Sequence, residues 1–196
     1  MYNAYNCKLK KKILYRIGHD SGFFSEYNNM IIAIYYSLIN DLQFILYSKN
    51  ANFSYNLGWR DYFMPFTRED KQILNNIFNT RYSKPRVSGI KMRFGNFLFE
   101  TYLFTRDIDF LTYDIFNKSR SLDLKEIYEI PELGLKGTLV ENCKALNRLF
   151  WQYNDAVKTE LNAIVTKILP NEPYISFHIR RGDKIRDRTI RWLRKS

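Results

Sequence analysis

Cysteine and histidine are scarce in this chain, and glycine and proline are few. Its 196 residues include only Cys7 and Cys143, which lie far apart and form no CxxC pair. His19 and His178 are the only histidines. A disulfide framework and a structural zinc site are therefore excluded as organising principles, and no metal is expected. Eight glycines and five prolines are too few for a low-complexity or collagen-like chain. No stretch approaches the roughly 18 continuous apolar residues of a membrane span. The best run, Met30 to Ile39, is interrupted by Ser37. The amino terminus has no signal-peptide core, because Cys7 to Lys12 is polar and basic and Ile13 to Ile17 is short. These absences point to the cytoplasm, with a peripheral membrane association left open. The oligomeric state is not legible.

What is present is apolar and aromatic. Hydrophobic residues make up 45% and aromatic residues 17%, which places the chain among folded proteins. Length suffices for one well-buried core and the beginning of another. The formal charge of +11 is uneven, since Arg180 to Ser196 alone contributes +6.

Residues 1–12 read as a loose lead-in. Ile13 to Ile17 predicts a strand, and Gly18 opens a loop containing His19, Asp20 and Ser21. Ser25 is a candidate N-cap for a helix with an apolar face at Tyr27, Met30, Ile31, Ile34, Tyr35 and Leu38. Asn40-Asp41 ends it, and Leu42 to Tyr47 predicts a second strand. Strand, loop, helix, strand is a βαβ unit, and ligands of such folds bind beyond the carboxyl ends of the strands. His19 and Asp20 fall there, as acceptor-side candidates. Glu26 is another possible carboxylate, or simply a partner of the helix dipole.

Gly58 to Phe66 is dense in aromatics. Trp59, Tyr62, Phe63 and Phe66 suit either a sugar platform or a cap on the core, the cap being favoured. Glu69 to Phe78 predicts a short helix with Ile73, Leu74 and Ile77 inward. A loop surrounds Pro85. Phe97 to Phe104 fits helix or strand, and Ser121 to Glu129 fits a capped helix. Apolar positions from Leu146 through Phe150, Val157 and Leu161 to Ile168 predict one long helix. Pro170 to Pro173 then turns into a strand, Tyr174 to Ile179.

That strand ends in His178, Ile179, Arg180, Arg181, Gly182, Asp183 and Lys184. Paired guanidinium forks and a mobile ammonium suit a pyrophosphate, and Asp183 can orient an arginine through a bidentate pair. The segment resembles the HxRRxDK motif of GT-B-like fucosyltransferases, especially the α1,6-fucosyltransferase and nodulation-fucosyltransferase group. Gly22 to Ser48 resembles that group's first loop, helix and second strand. Gly58 to Phe66 resembles its Gly-Trp segment, and Ala145 to Pro170 the helix feeding the motif strand.

The resemblance implies an α/β fold, an open and mostly parallel sheet flanked by helices. It implies an acceptor-side domain over residues 1–172 and the start of a nucleotide-sugar-binding, Rossmann-like domain over 173–196. It implies transfer of fucose from GDP-fucose to a glycan hydroxyl with inversion and without a metal. Arg180 would hold the donor diphosphate and stabilise the charge that grows on it. Arg181 and Lys184 would add donors, His178 would shape the pocket, and Asp183 would hold the loop. Arg188 stands where the family has a glutamate, and the basic ending looks like a truncated or frame-shifted reading. Two other functions fit the sequence. The basic tail, with Trp192 among arginines, suits nucleic acid or an anionic surface. A non-catalytic α/β fragment needing a partner is the other.

Overall fold

The computed structural model describes residues 2–19, 21–82 and 91–168. The chain divides into two compact units, Met1–Lys158 and Thr159–Ser196. In the first, the elements run α1 (Tyr2–Asn6), β1 (Lys11–Arg16), α2 (Phe23–Ile39), β2 (Leu42–Tyr47), α3 (Asn75–Phe78) and α4 (Lys91–Arg106). They continue with β3 (Phe110–Leu111), α5 (Thr112–Ser119), β4 (Tyr128–Ile130), β5 (Leu135–Gly137) and α6 (Leu139–Phe150). The last element, α7 (Asp155–Ile168), begins in this unit; its residues from Thr159 onward are the described part of the second.

The expected βαβ unit is present. β1 and β2 run parallel with Ile13 opposite Phe44 and Tyr15 opposite Leu46. β3 adds a third parallel strand on the other side of β1, giving the order β2-β1-β3. A separate antiparallel hairpin joins β4 to β5. The architecture is thus a generic α/β fold with parallel and antiparallel sheets.

Alternation along the strands explains why the sheet is covered twice. Ile13, Tyr15, Phe44 and Leu46 pack on the predicted apolar face of α2, all six residues of which are buried. Leu14, Ile45 and Tyr47 point the other way, against Phe78 and Tyr102 of α3 and α4. The helix α2 starts earlier than its sequence suggests. Gly22, not Ser25, is the N-cap, and it has no side-chain bond to the first turn.

Five other expectations are corrected. The amino terminus is not loose. α1 buries Tyr2 and Asn6, and the Asn6 amide bonds Phe44 as a strand would, donating to its carbonyl (2.9 Å) and accepting from its N–H (2.7 Å). Only Asn75–Phe78 is helical in the 69–78 stretch. Asn75 and Phe78 face inward, while Ile73 and Ile77 are exposed. Arg68 to Asp70 instead runs beside β2, through Leu46 N–H to Arg68 O (3.0 Å) and Asp70 N–H to Leu46 O (2.8 Å). Ser121 to Glu129 is not a helix; it ends in β4. The long carboxyl-side helix is two helices, parted at Trp151 to Asn154, where Asn154 Oδ1 accepts from the Val157 N–H at 2.9 Å. Of the apolar positions that predicted one helix, Leu149, Leu161, Ile164 and Val165 are exposed.

Phe97 to Phe104 belongs to α4, which decides between helix and strand. The loop around Pro85 and the strand and tail from Pro170 onward lie outside the described residues. No helix among the described residues is long and apolar enough to cross a membrane.

Candidate functional site

The loop that follows β1 is built on a close approach and a buried ion pair. Gly18 has φ +78°, and a Cβ there would lie 2.3 Å from Ala51 Cβ. The left-handed backbone and the missing side chain are both required. Gly18 N–H donates to Glu26 Oε2 at 2.8 Å, and Gly18 O accepts from Asn52 N–H at 3.0 Å. The carboxylate of Glu26 is held in turn by Arg81, whose Nη1 donates to Oε1 at 2.7 Å while Nη2 pairs with Oε2. Both side chains are fully buried. The guanidinium also lies 5.1 Å from the Phe116 ring centroid.

Burial alone would raise the pKa of Glu26. Its bonds from Arg81, with the backbone of Gly18 and His19, outweigh that and hold it below its ordinary value. For Arg81, desolvation acts against the charge, and the bond with Glu26, the charges of Tyr15 and Glu26 and the bond with Tyr82 together outweigh it, so its pKa is raised. Glu26 is therefore a structural anchor of the loop and is closed to an acceptor. Sequence reasoning missed Arg81, which is 55 positions away in the chain.

Beside this loop lies an aromatic cleft of about 250 Å³. Phe23 and Phe24, at the first turn of α2, form one wall, and Trp151 and Tyr153, from the break between α6 and α7, form another. Phe24 and Trp151 stack with their planes 7° apart and centroids 5.8 Å apart, although Phe24 is 67% exposed. Phe63 lies 5.8 Å from Phe23, 4° from parallel. Pairing between two irregular segments fixes the walls: Met64 N–H donates to Gln152 O (2.7 Å), and Asn154 N–H to Tyr62 O (3.0 Å).

The aromatic segment Gly58 to Phe66 divides between the two roles weighed for it. Trp59 is completely buried, with its indole N–H on Met64 O at 3.0 Å, and belongs to the core. Phe63 is buried at the base of the cleft, and Tyr62 is partly exposed on its rim. The contributions of Phe23, Phe24, Phe53, Trp151 and Tyr153 were missed. The sequence signal was the Trp151-Tyr153 doublet inside an otherwise helical pattern, which marks the break.

His19 is half-buried on the loop between β1 and α2, directly after Gly18. Asp20, His178, Arg180, Arg181, Asp183 and Lys184 lie outside the described residues. Among the described residues, no group of three or more His, Cys, Asp or Glu side chains is arranged to hold a metal. No family model, no curated protein and no solved structure significantly matches the chain.

Proposed function

We propose that this chain is the acceptor-side part of a GT-B-like fucosyltransferase, acting in transfer of fucose from GDP-fucose to a glycan hydroxyl with inversion. The observation that carries the reading within the fold is the aromatic cleft at the start of α2, where the loop after β1 ends. Ligands of parallel α/β sheets bind on that side. Flat aromatic faces with few polar groups suit the C–H face of a sugar ring. The sequence motif His178 to Lys184 supports the donor half. Arg180 would grip the diphosphate and stabilise its growing negative charge, with Arg181 and Lys184 as further donors. His178 would shape the pocket, and Asp183 would fix the arginine fork. His19 and Asp20 would border the acceptor.

Calorimetric titration of the full chain with GDP and GDP-fucose, beside ADP and UDP, tests the donor half. Saturable, guanine-selective binding is expected. Arg180→Ala should abolish it, and removal of residues 189–196 should leave it within about twofold. Binding that ignores the base, needs residues 189–196 and collapses with added salt would instead identify the basic tail as a binder of nucleic acid or an anionic surface. Absence of guanine-nucleotide binding would overturn the transferase reading.

A further inference from the structure

A second pocket of about 230 Å³ opens where β2 ends, and most of its lining residues are charged, among them Lys49, Arg60, Glu69 and Lys71. Its floor is a short relay. The Trp59 N–H donates to Ser48 Oγ at 2.8 Å, and Ser48 Oγ donates to Glu69 Oε2 at 3.0 Å. The relay depends on Gly58, where a Cβ would come within 2.3 Å of Ser48 Oγ. One wall is equally fixed, because Asp61 accepts the backbone N–H groups of Tyr55, Asn56, Leu57 and Gly58 at 2.7–3.0 Å.

Two features of this pocket remain unspent by the fold. Glu69 Oε1 is buried and has no hydrogen-bond partner among the described residues. A buried acceptor left unmet costs about 1–3 kcal/mol, so the geometry calls for a donor from beyond the described residues. The three cations Lys49, Arg60 and Lys71 are also unspent, for none makes a salt bridge among the described residues. The neighbouring acids offset them only in part. Asp70 is paired with Arg106 and accepts from Gln72 N–H and Asn75 Nδ2, whereas Asp61, bonded by four neutral amides, keeps its charge. Three cations against Asp61 and Glu69 leave an excess of positive charge, with Glu69 Oε1 as an unmet acceptor among the lining residues. Burial raises the pKa of Glu69 despite the opposing Ser48 bond and the nearby Arg60 and Lys71 charges, the kind of perturbation found at ligand sites.

We propose that this pocket binds a small phosphorylated sugar, its phosphate held by Lys49, Arg60 and Lys71 and one of its hydroxyls donating to Glu69 Oε1. The volume is below the roughly 300–1,000 Å³ of sites for drug-sized ligands and suits one ring with its phosphate. The cations supply affinity and the carboxyl supplies selection for a hydroxylated ligand, since an unmet buried partner penalises any ligand without the donor. This site is separate from the aromatic cleft and does not depend on the glycosyltransferase reading.

Titration of the full chain with glucose 6-phosphate, inorganic phosphate and glucose tests it. Glucose 6-phosphate should bind saturably, at least tenfold tighter than phosphate, and glucose should not saturate. Arg60→Gln, a change of an exposed side chain, should weaken glucose 6-phosphate at least tenfold. Glu69→Ala should bring glucose 6-phosphate and phosphate to within about threefold of each other. Arg180→Ala should change neither. The proposal is overturned if glucose 6-phosphate does not saturate, or if Arg60→Gln leaves its affinity unchanged. It is equally overturned if Arg180→Ala removes the binding, which would place the phosphate on the sequence motif instead, or if the preference over phosphate survives Glu69→Ala.

Discussion

Arg81 holds Glu26 with both terminal guanidinium nitrogens inside the core, and Glu26 uses the same carboxylate to fasten the Gly18 amide at the end of β1. The pair thus joins a segment after α3 to the loop on which His19 sits. Removing either member strands a buried charge. Arg81→Ala or Glu26→Ala should each lower unfolding free energy by about 3–5 kcal/mol, measured in urea. The double variant Glu26→Leu/Arg81→Leu should lose less than the sum of the two.

Glu26 and Glu69 give opposite responses to pH. Glu26 has a lowered folded-state pKa, so its contribution is present above the ordinary value of 4.5 and lost as pH falls through the folded value. Glu69 has a raised one, so stability falls as pH rises from 4.5 through its folded pKa, because the folded state retains the proton longer. Beyond its burial, the bond from Ser48 and the charges of Arg60, Lys71 and Asp61 set the upper end of that window. Glu26→Gln should flatten the acid limb of a stability–pH curve. Glu69→Gln should remove the loss just above pH 4.5 without altering the limb below.

Gly18→Ala should be costly for two reasons. A left-handed backbone costs a residue with a Cβ about 1–2 kcal/mol, and the new Cβ collides with Ala51. The double variant Gly18→Ala/Ala51→Gly should recover little of the loss, because Ala51 Cα at 2.6 Å and the Asn52 nitrogen at 3.0 Å still obstruct the new methyl group. Thermal unfolding of the two variants beside the unaltered protein measures the loss and the recovery.

Cleft and core aromatics should part cleanly under substitution. Phe24 is exposed, so Phe24→Ala should change stability by no more than about 0.5 kcal/mol while weakening any glycan-induced change in tryptophan fluorescence at least fivefold. Trp59 is fully buried, and Trp59→Ala should cost about 3–5 kcal/mol. Equal stability losses for the two would place Phe24 in the core and remove the cleft as a site.

The βαβ unit was legible because its periods are clean. Ile13 to Ile17 and Leu42 to Tyr47 are apolar runs broken only by Arg16 and Gln43, as suits strands covered on both faces, and the face of α2 repeats at helical spacing. Where the reading failed, a local pattern was overridden by distant partners. The apolar residues from Leu146 to Ile168 keep helical spacing across a break, and the break is set by pairing with Tyr62 and Met64. Glu69 lies in a helix-like pattern, yet Leu46 draws its neighbours into extended pairing. Arg81 and Glu26 share no local signal. The aromatic cleft gathers side chains from separated segments, so of its lining only Tyr62 and Phe63 were weighed as a sugar platform, and for them a cap on the core was favoured.

The bonding along β2 has a consequence for how molecules of this protein behave together. Its outer margin is occupied at Phe44 by the Asn6 side chain and at Leu46 by Arg68 and Asp70. A strand of six buried residues would otherwise offer a template for a neighbouring chain. The terminal helix and the 68–70 segment act as a selvedge that keeps the sheet from recruiting foreign strands there. Loosening either one would open that margin to pairing with a strand of another molecule.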